Sequence, residues 1–146
     1  MINKSEIPVI AVPSTYQGEQ ITKVAYASDL RKLDTELDKV VNFTQPLGAQ
    51  LELLHFTNPG DELIDVDEQD AIKEKISQYQ LITHFEKFDF EKTLIENMNE
   101  AFQRSKPSMV VMFTDQNRSF FERIFSSSIS AEYATVSDIP LLVFKK

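Results

Sequence analysis

The stretch Ser108-Met109-Val110-Val111-Met112-Phe113-Thr114 decides the fold class. Pro107 precedes it, and the polar turn Asp115-Gln116-Asn117-Arg118-Ser119 follows it. A short apolar run without alternation is typical of a strand buried on both faces, as the central strands of parallel sheets are. Ligands of open α/β sheets bind outside the carboxyl ends of such strands. We therefore expect the turn after Thr114 to decide function.

Working outward from this strand, apolar and amphipathic segments alternate along the chain. They predict strands over residues 21–28, 49–56, 79–88 and 139–144, and helices from residue 29 onward, over 67–78, over 89–105 and after residue 119. Right-handed crossovers between such strands build a parallel sheet with helices on both faces. The sequence thus predicts an α/β fold: an open, doubly wound, five-stranded parallel sheet in the order 3-2-1-4-5.

Two helix starts are predicted from acidic residues. Asp29 is expected to cap the first helix, which buries Leu33 and Leu37 and places Glu36 on its opposite face. Asp89 is expected to cap the helix that ends at residue 105.

The two ends of the chain share a pattern. Ser5-Glu6-Ile7-Pro8 and Ser137-Asp138-Ile139-Pro140 each precede a short apolar run. Two explanations stay open: strands after an X-Pro turn resemble each other by chance, or the segments descend from a duplication. Under duplication, residues 1–19 are the closing strand of a preceding similar domain plus a linker, and residues 20–146 form the main domain.

Composition narrows the function classes. The net charge is −8 and the isoelectric point is near 4.7, without the clustered basic residues that nucleic-acid binding requires. No apolar run approaches the roughly 20 residues that span a bilayer, so we expect no membrane partner and a cytoplasmic location. The chain has no Cys, which excludes disulfides, thiolate metal sites and cysteine nucleophiles.

The ligand crevice of such a sheet lies between the strands that end at Ser28 and Thr114. The polar and aromatic residues expected there are Ser28, Asp29, His55, Phe56, Thr114, Asp115, Asn117, Arg118, Ser126, Ser127 and Ser128.

The ordered segments resemble those of the universal stress protein family over about residues 20–146. They are Val24-Ala25-Tyr26-Ala27-Ser28-Asp29, Leu53-Leu54-His55-Phe56, residues 109–130 and Ile139-Pro140-Leu141-Leu142-Val143. The resemblance implies a Rossmann-like, adenine nucleotide α-hydrolase-like fold and a role in stress response. Residues 7–13 resemble the closing strand of a preceding copy, as in tandem members of the family.

Members of the family that bind ATP carry a Gly-x2-Gly-x9-Gly-(Ser/Thr) signature, whose backbone amides hold the phosphates. Laid on this chain, its glycines fall near Asn117, Phe120 and Ser127. The chain's glycines are Gly18, Gly48 and Gly60, so residues 61–146 contain none. The resemblance therefore predicts a domain without an ATP cofactor.

Two residue sets keep alternative roles. Asp29 matches the acidic residue that contacts the nucleoside in ATP-binding relatives, against its role as a helix cap. Ser126, Ser127 and Ser128, with Arg118, form either a small-anion site or a polar turn. No metal site is expected, because His55 and His84 lie on different predicted strands without i, i+4 partners.

The leading hypothesis is a non-enzymatic domain that works through association. Its surface is the last strand with Ile139, Leu141 and Val143, apolar on both faces and suited to a homodimer or pseudo-dimer. Residues 7–12 are able to pair with that strand. The alternative is a degenerate sensor of ATP or AMP, with slow or no hydrolysis, that uses Asp29, Phe56 and the serines. A third hypothesis, an enzyme of the wider adenine nucleotide α-hydrolase-like group, lacks that group's glycine-rich loop, because the position reads Ser28-Asp29-Leu30-Arg31.

Overall fold

The computed structural model describes residues 7–57, 66–114 and 138–145, with the side chains of 66–69, 94 and 114 left out. Within them, six strands and three α-helices follow the order that the sequence predicts for residues 21–114. The strands are β1 (Val9–Ala11), β2 (Lys23–Ala27), β3 (Gln50–Thr57), β4 (Ile82–Lys87), β5 (Met109–Thr114) and β6 (Leu141–Lys145). The helices are α1 (Leu33–Thr44), followed by a 3-10 turn, α2 (Val66–Gln78) and α3 (Leu94–Ser105). The helix predicted after residue 119 lies outside the described residues.

The described strands form one mixed sheet in the order β4-β3-β2-β5-β6-β1. Neighbours from β4 to β6 are parallel, and β1 lies antiparallel against β6. The five strands predicted from the sequence are parallel and follow the predicted order 3-2-1-4-5, but the sheet as a whole is six-stranded and mixed and not wholly parallel. The pairing between residues 7–12 and the last strand adds a sixth strand of the opposite direction, and it satisfies backbone groups that β6 would otherwise leave unpaired.

The stretch that decides the fold is buried on both faces, as its sequence predicts: residues 109–113 are each at most 4% exposed. On one face Val110 and Met112 pack with Met98 and Phe102 of α3. On the other face the strand packs against α1 and α2, in the cluster of Met109, Val111, Phe113, Leu33, Leu37, Val40, Ile72 and Ile76. Helices therefore cover both faces of the described sheet.

The first helix begins later than predicted. Leu30 has a backbone φ of +69°, a left-handed conformation that cannot continue a helix, and α1 starts at Leu33. Asp29 Oδ1 instead accepts a hydrogen bond from the Arg31 amide, at 3.0 Å. The prediction that Asp29 caps this helix is wrong, because its carboxylate closes a tight turn two residues ahead.

The third helix is capped by Thr93 and not by Asp89. The Thr93 hydroxyl accepts from the Glu96 amide, and the Glu96 carboxylate accepts from the Thr93 amide, which together form a capping box. Asp89 Oδ1 accepts from the Glu91 amide at 3.0 Å. Asp89 therefore belongs to the loop before α3, and its predicted capping role is wrong.

Candidate functional site

The carboxyl ends of β2, β3 and β5 form the predicted crevice, and the structure describes one half of it. Ser28 and Asp29 follow β2, and His55 lies near the end of β3. His55 Nδ1 lies 2.8 Å from the Ser28 carbonyl oxygen, so it donates to that oxygen, and the Ser28 amide donates to Leu54 O at 3.0 Å. These contacts join the turn after β2 to β3.

The other predicted site residues are described only in part or not at all. Thr114 ends β5, and its side chain lies outside the described set. The same holds for every atom of Asp115, Asn117, Arg118, Ser126, Ser127 and Ser128. The alternative roles of the three serines, anion site or polar turn, therefore stay predictions.

Residues 28–32, named here the β2–α1 turn, are held by side-chain hydrogen bonds and not by glycine. Ser28 is buried, and its Oγ accepts from the Leu30 amide at 3.0 Å. The half-buried Asp29 accepts from the Arg31 amide. The Leu30 side chain packs in the core with α1. Burial and these two bonds offset the cost of a left-handed leucine, which glycine would avoid.

A buried phenol and carboxylate lie beneath this turn. Tyr26 is fully buried, Glu36 of α1 is 4% exposed, and the Tyr26 hydroxyl donates to Glu36 Oε2. Burial, and then the negative charge of Glu36, raise the pKa of Tyr26 far above its ordinary range. Tyr26 therefore stays protonated as a hydrogen-bond donor at physiological pH and does not act as a base.

Sequence reasoning missed this pair, because it placed Glu36 on the outward face of the first helix. A signal was present, since Tyr26 interrupts an otherwise apolar strand and a buried tyrosine hydroxyl needs a partner. The ring of Tyr26 also packs edge-to-face on Phe113, with centroids 5.9 Å apart. The pair thus ties α1 to β2 and β5 below the crevice.

The two residues at the end of β3 face opposite sides of the sheet. His55 is half-buried and packs edge-to-face against Phe85, with centroids 5.9 Å apart. Phe56 is 6% exposed and belongs to the core under α3, where its ring centroid lies 6.4 Å from that of Phe88. His55 therefore lies closer to the β2–α1 turn, and Phe56 contributes to packing.

The predicted association strand is not a bare edge. Leu141 and Val143 are buried, and Ile139 is half-buried. Val143 lies opposite Val9 and Leu141 opposite Ala11 of β1. The prediction that residues 7–12 are able to pair with the last strand is confirmed, since β1 covers its outer edge.

A cavity of about 410 Å³ lies at the other end of the sheet, near the starts of β5 and β6. Its walls are Thr15, Tyr16, Gln17, Glu19, Pro107, Ser108, Asp138 and Ile139. The Thr15 hydroxyl donates to Asp138 Oδ1 at 2.6 Å, and Ser108 Oγ accepts from the amides of Thr22 and Lys23. These bonds anchor the segment between β1 and β2 across the amino ends of the strands.

A charged cluster lies on the sheet face that α3 covers. The buried Glu52 of β3 lies 3.2 Å from Lys23 Nζ and 2.9 Å from His84 Nε2. Lys23 Nζ also donates to Ser105 O at the end of α3, at 2.9 Å. The cluster joins three strands and a helix end, and the buried carboxylate of Glu52 has two partners, as a buried charge requires.

The described residues contain neither a candidate metal cluster nor a candidate membrane-spanning helix. In this part of the chain, no three or more Asp, Glu or His residues are grouped so that they could hold a metal ion. None of its helices combines the length and the apolar character needed to cross a membrane.

Comparison with solved structures identifies the fold. A universal stress protein from Archaeoglobus fulgidus aligns with 98% of this chain at a TM-score of 0.63 and 16% identity. A functionally unknown protein from Pseudomonas aeruginosa aligns with 99% at a TM-score of 0.64 and 14% identity. The chain spans about half of these two proteins, 51% and 54% of their lengths.

A universal stress protein in complex with cAMP aligns with 87% of the chain at a TM-score of 0.55 and 13% identity, and 98% of that protein is covered. No protein-family model and no curated protein matches the chain. The described residues therefore have the fold of universal stress protein structures, and likeness at these identities shows the fold alone.

Proposed function

We propose that the chain is a universal stress protein-like domain that acts in a stress response through association, as a homodimer or pseudo-dimer at its last strand, without catalysis and without ATP. One observation carries the proposal: β1, which the duplication hypothesis interprets as the closing strand of a preceding copy, pairs with the outer edge of β6. The side chains of Ile10 and Val12 beside that edge are 48% and 57% exposed. Apolar groups exposed along a sheet edge are typical of a contact surface.

The chemistry of the crevice supports the part of the proposal that concerns ATP. Phosphates are held by closely approaching backbone amides, for which glycine is the favoured residue. Residues 61–146 contain no glycine, and the β2–α1 turn uses Leu30 in a left-handed conformation. Asp29 directs one carboxylate oxygen to a neighbouring amide of that turn.

A second candidate function is the adenine-nucleotide sensor. Two observations favour it: a structure of this fold is in complex with cAMP, and Asp29 and His55 lie at the carboxyl edge where α/β sheets bind ligands. This function needs the nucleotide to bind through base and ribose more than through its phosphates.

Mass spectrometry and thermal unfolding distinguish the two candidates. Denatured purified protein should release no stoichiometric nucleotide, and 1 mM ATP, AMP or cAMP should leave the midpoint unchanged. A ligand present at about 100 times its Kd would stabilise the fold by about 2.7 kcal/mol. In a domain of this size that corresponds to a shift of roughly 5–11 °C.

An Asp29→Ala variant and a matched Asp70→Ala control complete the test. Asp70 is an exposed carboxylate on α2, paired with Lys73 at 3.2 Å. If a nucleotide raises the wild-type midpoint, and only Asp29→Ala removes that shift, the sensor function replaces the association function.

A further inference from the structure

The cavity at the amino ends of the strands lies across the sheet from the crevice, and three parts of the chain form its walls. The segment between β1 and β2 supplies residues 15–17 and 19, the start of β5 supplies Pro107 and Ser108, and residues 138 and 139 precede β6. Its volume of about 410 Å³ lies in the range of roughly 300–1,000 Å³ that is typical of small-molecule pockets. The cavity therefore has the size for a small organic ligand.

Hydrogen bonds within the chain hold these walls in place. The Tyr16 amide donates to Pro13 O at 3.1 Å, and the Tyr16 hydroxyl donates to Glu19 O at 2.6 Å, so this wall is folded back on itself. The Thr15 hydroxyl donates to Asp138 and so joins the same segment to the residues before β6. A ligand therefore meets walls that are already in position, which lowers the entropic cost of binding.

The hydroxyl groups of the walls already donate their protons inside the chain. The Thr15 hydroxyl donates to Asp138 Oδ1, and the Tyr16 hydroxyl donates to a backbone carbonyl of its own segment. The Ser108 hydroxyl donates at 2.8 Å to a backbone carbonyl of β2. Because a hydroxyl has one proton and two lone pairs, Thr15 and Tyr16 can bond to a further group only as acceptors. The walls therefore favour a ligand that donates hydrogen bonds.

The charge of the walls has a single sign. Glu19 and Asp138 bring two carboxylates, and the described walls contain no Lys, Arg or His. An ionised carboxylate accepts hydrogen bonds at both oxygens, and Thr15 occupies only Oδ1 of Asp138. Negative charge combined with spare acceptors is complementary to a cation that carries several N–H groups.

A metal ion does not suit these walls, whereas an organic cation does. Ca²⁺ takes about 6–8 oxygen ligands, and in the part of the chain that the structure describes no three Asp, Glu or His are grouped to hold a metal ion. The walls also include the half-buried Tyr16 and Ile139 and the buried Pro107. An aromatic ring attracts cations, and apolar groups cover the carbon atoms of a ligand.

We infer that this cavity binds a small organic cation, with its ammonium or guanidinium group between Glu19 and Asp138 and its carbon skeleton against Tyr16, Pro107 and Ile139. The bound ligand connects the segment between β1 and β2 to the residues before β6. The site goes beyond the association function, since it shares only Ile139 with the predicted association surface and no residue with the crevice.

Benzamidine and benzamide are matched probes for this site, because they share a ring and a shape and differ in charge. Isothermal titration calorimetry of the full chain should show saturable binding of benzamidine at a single site, with a Kd of about 1 mM or lower. Benzamide should bind at least about tenfold more weakly. Titration at about 0.15 M salt screens the general attraction of the net charge of −8 over distances beyond about 8 Å. Equal binding of both probes, or binding of neither, overturns the inference.

Three substitutions that each remove one negative charge locate the cation. Asp138→Asn and Glu19→Gln should each weaken benzamidine binding about fivefold, which is the upper value for a solvent-exposed ion pair. The amide oxygen of the Asp138→Asn variant can still accept the proton of Thr15, so that wall keeps its tie. Glu91→Gln is the matched control, because Glu91 is exposed and lies in the loop before α3. Equal weakening by all three variants indicates general charge attraction and overturns the site.

The amide resonances of the wild-type chain locate the ligand without any substitution. Gly18 lies between the wall residues Gln17 and Glu19, whereas Gly48 follows the 3-10 turn after α1 and does not line the cavity. In a chain labelled with ¹⁵N-glycine, benzamidine should shift the Gly18 resonance and leave the Gly48 resonance in place. A saturating titration that leaves Gly18 unshifted places the binding outside the cavity and overturns the inference.

Discussion

Replacing Tyr26 with Phe removes one hydroxyl and tests the support beneath the candidate crevice. That hydroxyl donates to Glu36 Oε2, and both residues are buried. Hydrogen bonds to charged groups contribute about 1.5–3 kcal/mol, because a buried carboxylate deprived of a donor is poorly solvated. We expect the free energy of unfolding to fall by about 2 kcal/mol, which for a domain of this size lowers the thermal midpoint by roughly 4–8 °C.

The pH dependence of stability provides a second, independent test of this prediction. Burial and the charge of Glu36 raise the pKa of Tyr26 in the folded state. A group with a raised folded pKa contributes its full stability below its unfolded pKa, about 10 for tyrosine, and loses that stability as the pH rises above this value. The difference in stability between wild type and Tyr26→Phe should therefore be constant from pH 7 to 9 and narrow above about pH 10.

Urea unfolding followed by circular dichroism measures both effects, since the chain has no Trp for fluorescence. Tyr79→Phe is the matched control. The Tyr79 hydroxyl also donates to a carboxylate, Asp38 Oδ1 at 2.7 Å, but this pair is exposed. Its loss should therefore cost clearly less stability than the loss of the buried Tyr26 hydroxyl. If the two variants lose equal stability, or if the Tyr26→Phe difference does not narrow above pH 10, the buried-pair argument is refuted.

Three smaller perturbations test other parts of the fold by the same unfolding measurement. Thr93→Ala removes the capping box of α3 and should cost about 1 kcal/mol; no loss would show that the cap is dispensable. Lys106→Gly should raise the free energy of unfolding by about 1 kcal/mol, because Lys106 ends α3 in a left-handed conformation with a φ of +50°. Gln80 has a φ of +53°, so Gln80→Gly should have the same effect. Destabilisation by both substitutions would contradict the argument that these residues are strained. Lys23→Met removes the ammonium that pairs with Glu52. Because Lys23 is 30% exposed, the loss of stability should be about 1–2 kcal/mol, below the 3–5 kcal/mol of a fully buried pair. A loss below about 0.5 kcal/mol would mean that the contact between His84 and Glu52 alone is enough for this carboxylate.

The apolar run around Val110 shows what sequence patterns predict well. A run without alternation required burial on both faces, and residues 109–113 have it. Element bounds followed hydrophobic period to within a few residues, as in α2, predicted over 67–78 and observed as Val66–Gln78. Patterns of this kind show which side chains of a segment are buried in the core, and that burial pattern differs between helices and strands.

Helix starts and the buried pair were missed for a different reason. Asp29 and Asp89 both precede helices, but each carboxylate accepts a hydrogen bond from the amide two residues ahead. The spacing of apolar residues in a helix does not reveal such competing local hydrogen bonds. Glu36 was assigned to the outer face by its charge. Its burial depends on Tyr26, ten positions away on another element, and no local pattern contains that contact.

The candidate crevice was predicted in part. Ser28 and His55 are in contact where the order of strands required it, because parallel strands end at one edge of a sheet. Phe56, one residue further, is buried beneath α3, since neighbouring residues of a strand face opposite sides. The order of the strands therefore predicts which edge of the sheet holds the crevice. Which side chains can contact a ligand there depends on the face of the sheet to which each strand residue points.

The two edges of the described sheet are protected in different ways. On β4, His84 pairs with Glu52, and Glu86 pairs with Arg104 at 2.6 Å. Polar and charged side chains at an edge oppose the addition of another strand, because they would lose solvent or partners, while Ile82 and Phe85 of the same strand are 43% and 54% exposed. The β6 edge is instead covered by β1, whose residues Val9–Ala11 carry no charge. The β4 edge is therefore protected by its own side chains, whereas the β6 edge is protected by a paired segment of the same chain.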